Sequence, residues 1–477
     1  MPTSEPTATA ILLTICGILL LVSVLSSRAS QRIGVPIALF FLLVGMLAGS
    51  EGIGGIPFAD YRLAFRIGAV SLALILFDGG LNTPLDVVRR VWAPAGVLGS
   101  VGVLLVAGLV ALLARLGGLP WPAALVLGAI VSSTDAAATF AVLRASGLQL
   151  KRRVAATLEV ESGANDPAAV ILTTTLAANL LRPGHLGLGE MLVGITTQLV
   201  IGAVVGIGAG FAGRALMARL QLMTGGLYPA LMLAFGLLSF GVATLIEGSG
   251  FLAVYATGIV LGNGPLPYRA GLLRIFDALA WLSQIGMFLL LGLLVFPSRL
   301  GEMAGLGLGI ALLLAILIRP LVVALCLAPF RYSAREIGFI GWVGLRGAVP
   351  IVLATWPRTQ GVEHSEEIFD IVFFVVVTSV ALQGATLPYV ARLLDVVQSD
   401  ESPLAAPRVV RIAVGPEVDG RMLADVGLPP GALVTLLNRG DVVLVPQGTT
   451  TFATGDVAHV LTADVEGTER VLGGSAS

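Results

Sequence analysis

The sequence predicts an all-α polytopic membrane protein of about thirteen spans, followed by a small cytosolic α+β domain. Three observations carry that prediction. Of 477 residues, 56% are hydrophobic and only 12% charged, and the mean hydropathy is +0.95; a soluble chain of this size carries about a quarter charged residues. Apolar stretches of roughly 20 residues follow one another, each ended by Gly, Pro or Arg, which is the pattern of bilayer-crossing helices. Past Ser399 these stretches stop and apolar and polar residues alternate instead. The net charge of −1 points to no nucleic acid and no acidic partner.

The spans begin near Ala8, Gly34, Leu63, Trp92, Trp121, Ala155, Met191, Leu227, Phe251, Phe276, Met303, Ile337 and Ile368, the ninth being short. No basic segment or small-residue cleavage site marks a signal peptide, so Ala8 to Leu25 reads as a retained first span. Odd-numbered connections carry Arg28 and Arg32; Arg89 and Arg90; Arg144, Lys151, Arg152 and Arg153; Arg214 and Arg219; Arg269 and Arg274; Arg331 and Arg335. Even-numbered ones carry Arg62, Arg66, Arg115, Arg182, Arg299 and Arg358. Fourteen against six places the odd connections and the C-terminal tail in the cytoplasm and the N-terminus outside. An odd number of spans separates the two ends in that way. Cys16 and Cys326 lie far apart inside apolar spans and read as packed small hydrophobes.

Residues 1–398 therefore form the membrane domain, 399–407 (SDESPLAAP) a linker, and 408–477 a cytosolic domain. Within that last domain Arg408 to Val414 and Ala432 to Val445 alternate as strands do, the second turning at Arg439-Gly440-Asp441. Arg421 to Val426 reads as a short helix and Val457 to Leu461 as a further strand. A module of about 70 residues buries little core, so a dimer is expected.

Polar residues inside the spans carry the chemistry. An ionised carboxylate at membrane depth costs several kcal/mol and is rarely there without a task. The sixth span holds Glu161-Ser162-Gly163-Ala164-Asn165-Asp166-Pro167. Ser162 and Asp166, four apart, share one face, as do Glu161 and Asn165. In the fifth span Ser132-Ser133-Thr134-Asp135 interrupts an apolar run, which suits cation coordination by oxygen and an unwound segment facing a cavity. In the twelfth, Gly344-Leu345-Arg346-Gly347-Ala348-Val349-Pro350 places an arginine between glycines. Spans seven apart run in opposite directions, so the fifth and twelfth fit an inverted repeat with a broken helix in each half.

Arg346 and Arg319, the latter in the eleventh span, both need a countercharge. Glu161 is the natural partner for one of them, which makes it structural. Asp166 and Asp135 are then left for a transported ion. Glu159 is placed at the interface, as is Glu247; Asp78 reads equally as a site residue or a helix-end charge. His185, His364 and His459 fall in connections or the tail, outside any proton relay.

Glu-Ser-Gly-x-Asn-Asp-Pro, Ser-Thr-Asp and Gly-Leu-Arg-Gly-Ala, in the sixth, fifth and twelfth spans, resemble the monovalent cation/proton antiporter family of NhaP and the sodium/proton exchangers. The resemblance covers residues 8 to 395. It implies a thirteen-helix inverted repeat, usually dimeric, with a mobile core and a static dimerisation domain. It maps Thr134 and Asp135 onto the fifth-helix ligands and Ser162 and Asp166 onto the sixth-helix ligands, with Asn165 as partner of the broken helices. Many members have proline after the fifth-helix aspartate, where this chain has Ala136. The motif forms are similar to the potassium/proton, cell-volume subgroup. The tail from Arg408 resembles the TrkA (RCK) C-terminal type of regulatory module, which implies a small-molecule ligand there.

The expected activity is alternating-access exchange of K+, or Na+ (Li+) in the alternative, for H+ across the cell membrane, with no cofactor and no enzymatic reaction. A single carboxylate cannot hold a proton and a cation together, so exchange is enforced. Because Asn165 cannot titrate, one proton per cation and no net charge movement is expected. A potassium channel would need a Thr-Val-Gly-Tyr-Gly filter, which the sequence lacks. An intramembrane aspartyl protease built on Asp135 and Asp166 would be expected to show Gly-x-Gly-Asp at one of them, and neither does.

Overall fold

The computed structural model describes residues 5–33, 36–181, 187–220, 225–398, 408–440 and 442–473. The stretch read as a linker, together with Arg182, His185 and Asp441, lies outside them. The chain divides into two compact units, Met1–Gln398 and Ser399–Ser477.

In the first unit the described helices group into thirteen passes. Seven are long and apolar enough to cross a membrane by length and composition alone. The other six depart from a plain apolar rod for separate reasons. The first, Glu5–Ile33, is apolar over Leu13–Leu25. The second, Ile37–Ala48, and the ninth, Gly250–Gly262, are only 12 and 13 residues long, so each rises about 20 Å, short of a hydrocarbon core of about 30 Å. The fifth and twelfth are broken. The sixth, Arg152–Leu181, carries the polar motif in an unbroken helix despite Pro167.

Several spans start earlier than their hydrophobic windows: the fourth at Leu85, the tenth at Arg269, the eleventh at Pro297. Arg89, Arg90, Arg144, Arg152, Arg153, Arg214, Arg219, Arg269, Arg274 and Arg335, read as connection residues, therefore lie on helices. Backbone hydrogen bonding does not stop where hydrocarbon does, so a hydropathy window marks the apolar thickness and not the helix end.

The inverted repeat is explicit in the helix ends. Asn82 and Leu294, Leu85 and Pro297, Ile130 and Trp342, Ala136 and Ala348, Leu181 and Leu393 bound equivalent helices, and each pair is 212 positions apart. π-helical turns recur in the fourth and eleventh spans, at Leu98–Gly102 and Leu314–Ile318. Packing repeats as well: the second span lies on the tenth, as the ninth lies on the third. Glycines permit both approaches. A Cβ at Gly45 would sit 2.3 Å from the Leu289 carbonyl and one at Gly292 2.3 Å from that of Leu42; at Gly80 and Gly258 the corresponding distances are 2.4 Å to Tyr255 and 2.6 Å to Phe77. Small residues at such crossings let membrane helices reach backbone contact.

The second unit is an antiparallel sheet of order β1-β4-β2-β3, with β1 Arg408–Ala413, β2 Leu433–Arg439, β3 Val442–Leu444 and β4 Val457–Thr462. Ile412, Val434, Leu437, Ala458 and Val460 form its core with Leu472 of the helix Val465–Leu472. That helix had no counterpart in the sequence reading. Where a helix was expected over Arg421 to Val426, there is a single 3-10 turn, Leu423–Asp425. Pro429-Pro430-Gly431 follows too closely for a longer one.

Candidate functional site

The fifth span consists of Trp121–Ile130 and Ala136–Ala145, the twelfth of Ala334–Trp342 and Ala348–Thr359. Residues 131–135 and 343–347 between them are non-helical, and the two interruptions bond to each other: the Asp135 amide donates to the Leu345 carbonyl at 2.7 Å. Extended backbone inside a membrane must find partners within the protein. Here three of the four half-helix ends meet a side chain at or near the break. The Asp135 carboxylate accepts from the Ala138 amide at 2.9 Å, capping the second half of its own span. Arg346 donates to the Ser132 carbonyl at 2.8 Å and also to that of Ser133, just past the C-terminal end of the first half. A guanidinium at a helix C-terminus faces the negative end of the dipole. Gln383 donates to the Trp342 carbonyl at 2.7 Å and so caps the first half of the twelfth span.

Arg346 thus finds carbonyl oxygens where the sequence reading looked for a carboxylate. Glu161 is paired with Arg319 at 2.6 Å, and both side chains are buried. Gly347 is required at the crossing, since a Cβ there would lie 1.7 Å from the Asp135 carboxylate.

One face of the sixth span is sewn to the fifth-span break. Ser162 accepts from the Ala136 amide at 3.2 Å and donates to the Thr134 carbonyl at 2.9 Å. Asn165 donates to the Thr134 hydroxyl at 2.7 Å. Asp166 accepts a 2.5 Å hydrogen bond from Ser133, and among the described residues no arginine or lysine pairs with it. The structure therefore brings Asp135, Thr134, Ser162, Asn165 and Asp166 together. It adds Ser133, which spacing did not single out because a break in a helix cancels helical periodicity.

Asp135, Ser162 and Asp166 line a cavity of about 700 Å³. It is reached from the ends of the third, fifth, sixth and tenth spans that join odd-numbered connections, through Asp78, Arg144, Glu159 and Asp277. Asp78, left open between two readings, lies on the cavity wall with Asn82 donating to its carboxylate at 2.9 Å. Glu159, read as interfacial, lines the cavity as well, and Asp277 was not anticipated at all. Two carboxylates and neighbouring hydroxyls at the end of a cavity suit a hard monovalent cation and a proton in competition. Among the described residues no group of three His, Cys, Asp or Glu is placed to hold a resident metal.

Crossed broken helices at membrane depth, repeated with inverted topology around an acidic cavity, define a secondary transporter. The description "Sodium/hydrogen exchanger, transmembrane" matches residues 17–393, and the TrkA-C domain matches residues 408–465. The chain is 46% identical over 391 residues to the K(+)/H(+) antiporter NhaP of Alkalimonas amylolytica, covering 81% of this chain and 67% of that one. It is 40% identical over 462 residues to the K(+)/H(+) antiporter NhaP2 of Shewanella sp. (strain ANA-3), covering 93% and 80%. The sodium proton antiporter MjNhaP1 from Methanocaldococcus jannaschii at pH 8 has a similar fold, with a TM-score of 0.68 at 24% identity over 80% of this chain and 99% of that one. The chain belongs to the sodium/hydrogen exchanger family. Its relatives are transporters, not enzymes, so the protease reading of Asp135 and Asp166 falls away.

Proposed function

We propose that this protein exchanges K+ for H+ by alternating access, with Asp166 as the group for which cation and proton compete. The observation that carries this is Asp166 itself: a buried carboxylate at the end of a cavity, held by a serine hydroxyl and, among the described residues, by no cationic side chain. Asp135, Thr134 and Ser162 supply further oxygens. Potassium is preferred to sodium because the similar NhaP and NhaP2 proteins carry that name; Na+ remains the alternative, as in the name of the 27% identical NhaS2 of Synechocystis sp..

The positive-inside bias puts the cavity on the cytoplasmic side, the N-terminus outside and the TrkA-C domain inside. The arrangement is then inward-open. Asp166 loses its proton to the cytoplasm, takes a partly dehydrated cation, and releases it outside after the core has moved. We further propose a homodimer in the cell membrane, with the TrkA-C domain answering to a small molecule. Since Asn165 does not titrate, exchange is one for one and moves no net charge.

The test is pH-gradient collapse in proteoliposomes on addition of K+, Na+, Li+ or Rb+ in turn. Potassium should give the largest response, and the rate should not change when a permeant-anion gradient sets the membrane potential. A response to sodium alone would reverse the selectivity. A rate that follows the potential would mean that Asp135 also carries protons.

A further inference from the structure

The two halves of the membrane unit are built alike but do not make the same contacts. At the even-connection end, the third span packs against the second half of the twelfth. The rings of Phe65 and Trp356 pack with centroids 4.8 Å apart and planes tilted by 43°, and Gly68 lies so close to Val352 that a Cβ there would be 2.8 Å from its side chain. At the odd-connection end the equivalent pair is the tenth span and the second half of the fifth. There the cavity of about 700 Å³ and a neighbouring one of about 920 Å³ lie between them, and both are lined by Arg144 and Asp277.

The offset of 212 positions that relates the helix ends also says which residues correspond. Gly68 and Val352 map onto Ala280 and Phe140. Phe65 and Trp356 map onto Asp277 and Arg144. A residue pair that is an aromatic contact at one end is a carboxylate and a guanidinium at the other. Arg144 and Asp277 are exposed in this arrangement, and no ion pair joins them.

We infer that Arg144 and Asp277 form the ion pair that closes the odd-connection mouth in the opposite-facing state, over an Ala280–Phe140 contact, while the Phe65–Trp356 and Gly68–Val352 contacts part. The inference rests on alternating access as proposed above. It follows from exchanging the conformations of two inverted repeats, which turns a cavity on one side into a cavity on the other. The pair also explains why an arginine and an aspartate line the same cavities without touching. In the closed mouth they would be drawn out of water together, where an unpaired member is costly.

Two experiments test it in the full chain. In protein carrying Cys16→Ala and Cys326→Ala, the pairs Phe140→Cys/Ala280→Cys and Gly68→Cys/Val352→Cys are oxidised in membranes at several pH values with and without K+. Both pairs should cross-link, in opposite response to conditions, and either link should stop exchange until reduced. A Phe140–Ala280 pair that never links while the reduced carrier still exchanges would overturn the inference. Separately, Arg144→Asp and Asp277→Arg should each slow exchange about tenfold, roughly the loss of one such pair, and the double reversal should recover most of it. Equal losses in the singles and the double would overturn the ion pair. If the wild-type protein exchanged no cation at all, the proposed function would fail instead, and the cross-links would still report whether the mouth closes.

Discussion

Asp166 and Glu161 lie on the same helix and are both buried, yet their surroundings differ, and with them the roles proposed for them. Glu161 meets the Arg319 guanidinium at 2.6 Å, a pair that joins the sixth span to the eleventh. Asp166 accepts a hydrogen bond from the Ser133 hydroxyl, and it faces the cavity. Glu161→Gln leaves Arg319 buried and unpaired, which costs about 3–5 kcal/mol, so its melting temperature and yield should fall well below those of Asp166→Asn. Asp166→Asn keeps its shape and its bond to Ser133 but cannot exchange a proton; it should fold and be inactive. A Glu161→Gln variant that melts like the wild type and has lost transport would move Glu161 into the ion site. The sequence revealed these carboxylates readily, because charge inside an apolar run stands out. Their partners were harder to read. Arg346 donates through Nη1 to the carbonyls of Ser132 and Ser133, and every residue has a carbonyl, so no residue type announces it.

At the scale of elements, the membrane helices show how much periodicity and hydropathy can tell. Apolar thickness placed the thirteen spans, but it could not place their ends, which backbone bonding and caps decide. The constant offset between the halves rests on those ends and so stayed hidden until the fold was in view. In the TrkA-C sheet, alternation identified the strands, while Val465–Leu472, at eight residues, is too short to register as a helix by pattern. This sheet carries its own ionic lock. Arg439 at the end of β2 makes two bonds to Asp456, of 2.9 and 2.7 Å, and the Ala453 amide adds another at 2.9 Å. The Arg439 bond holds the Asp456 carboxyl below its ordinary value. A group with a lowered folded-state pKa stabilises above its unfolded value and loses that contribution as pH falls through the folded one. Protection of the strand amides in the full chain, corrected for intrinsic exchange, should therefore decline below about pH 4. Asp456→Asn should be less protected at pH 7 and lose that acid dependence. An unchanged profile in the variant would show that the lock contributes nothing.

At the scale of the molecule, inverted repetition relates the two ends of the membrane unit, and under the proposed alternating access Asp166 is reached from each in turn. The motifs in the fifth, sixth and twelfth spans were legible because polar residues in apolar helices are few. Arg144 and Asp277 were not, because each looks like an ordinary charge near a helix end until the repeat relates them to Trp356 and Phe65. In the proposed cycle Asp166 binds either a proton or a cation and never both. The half-saturating K+ concentration for proton exchange in proteoliposomes, measured across pH, tests this. Competition predicts that this concentration rises as pH falls, approaching about tenfold per pH unit on the acid side, while the maximal rate at saturating K+ is restored. A half-saturating concentration that stays constant across pH, with only the maximal rate changing, would contradict it.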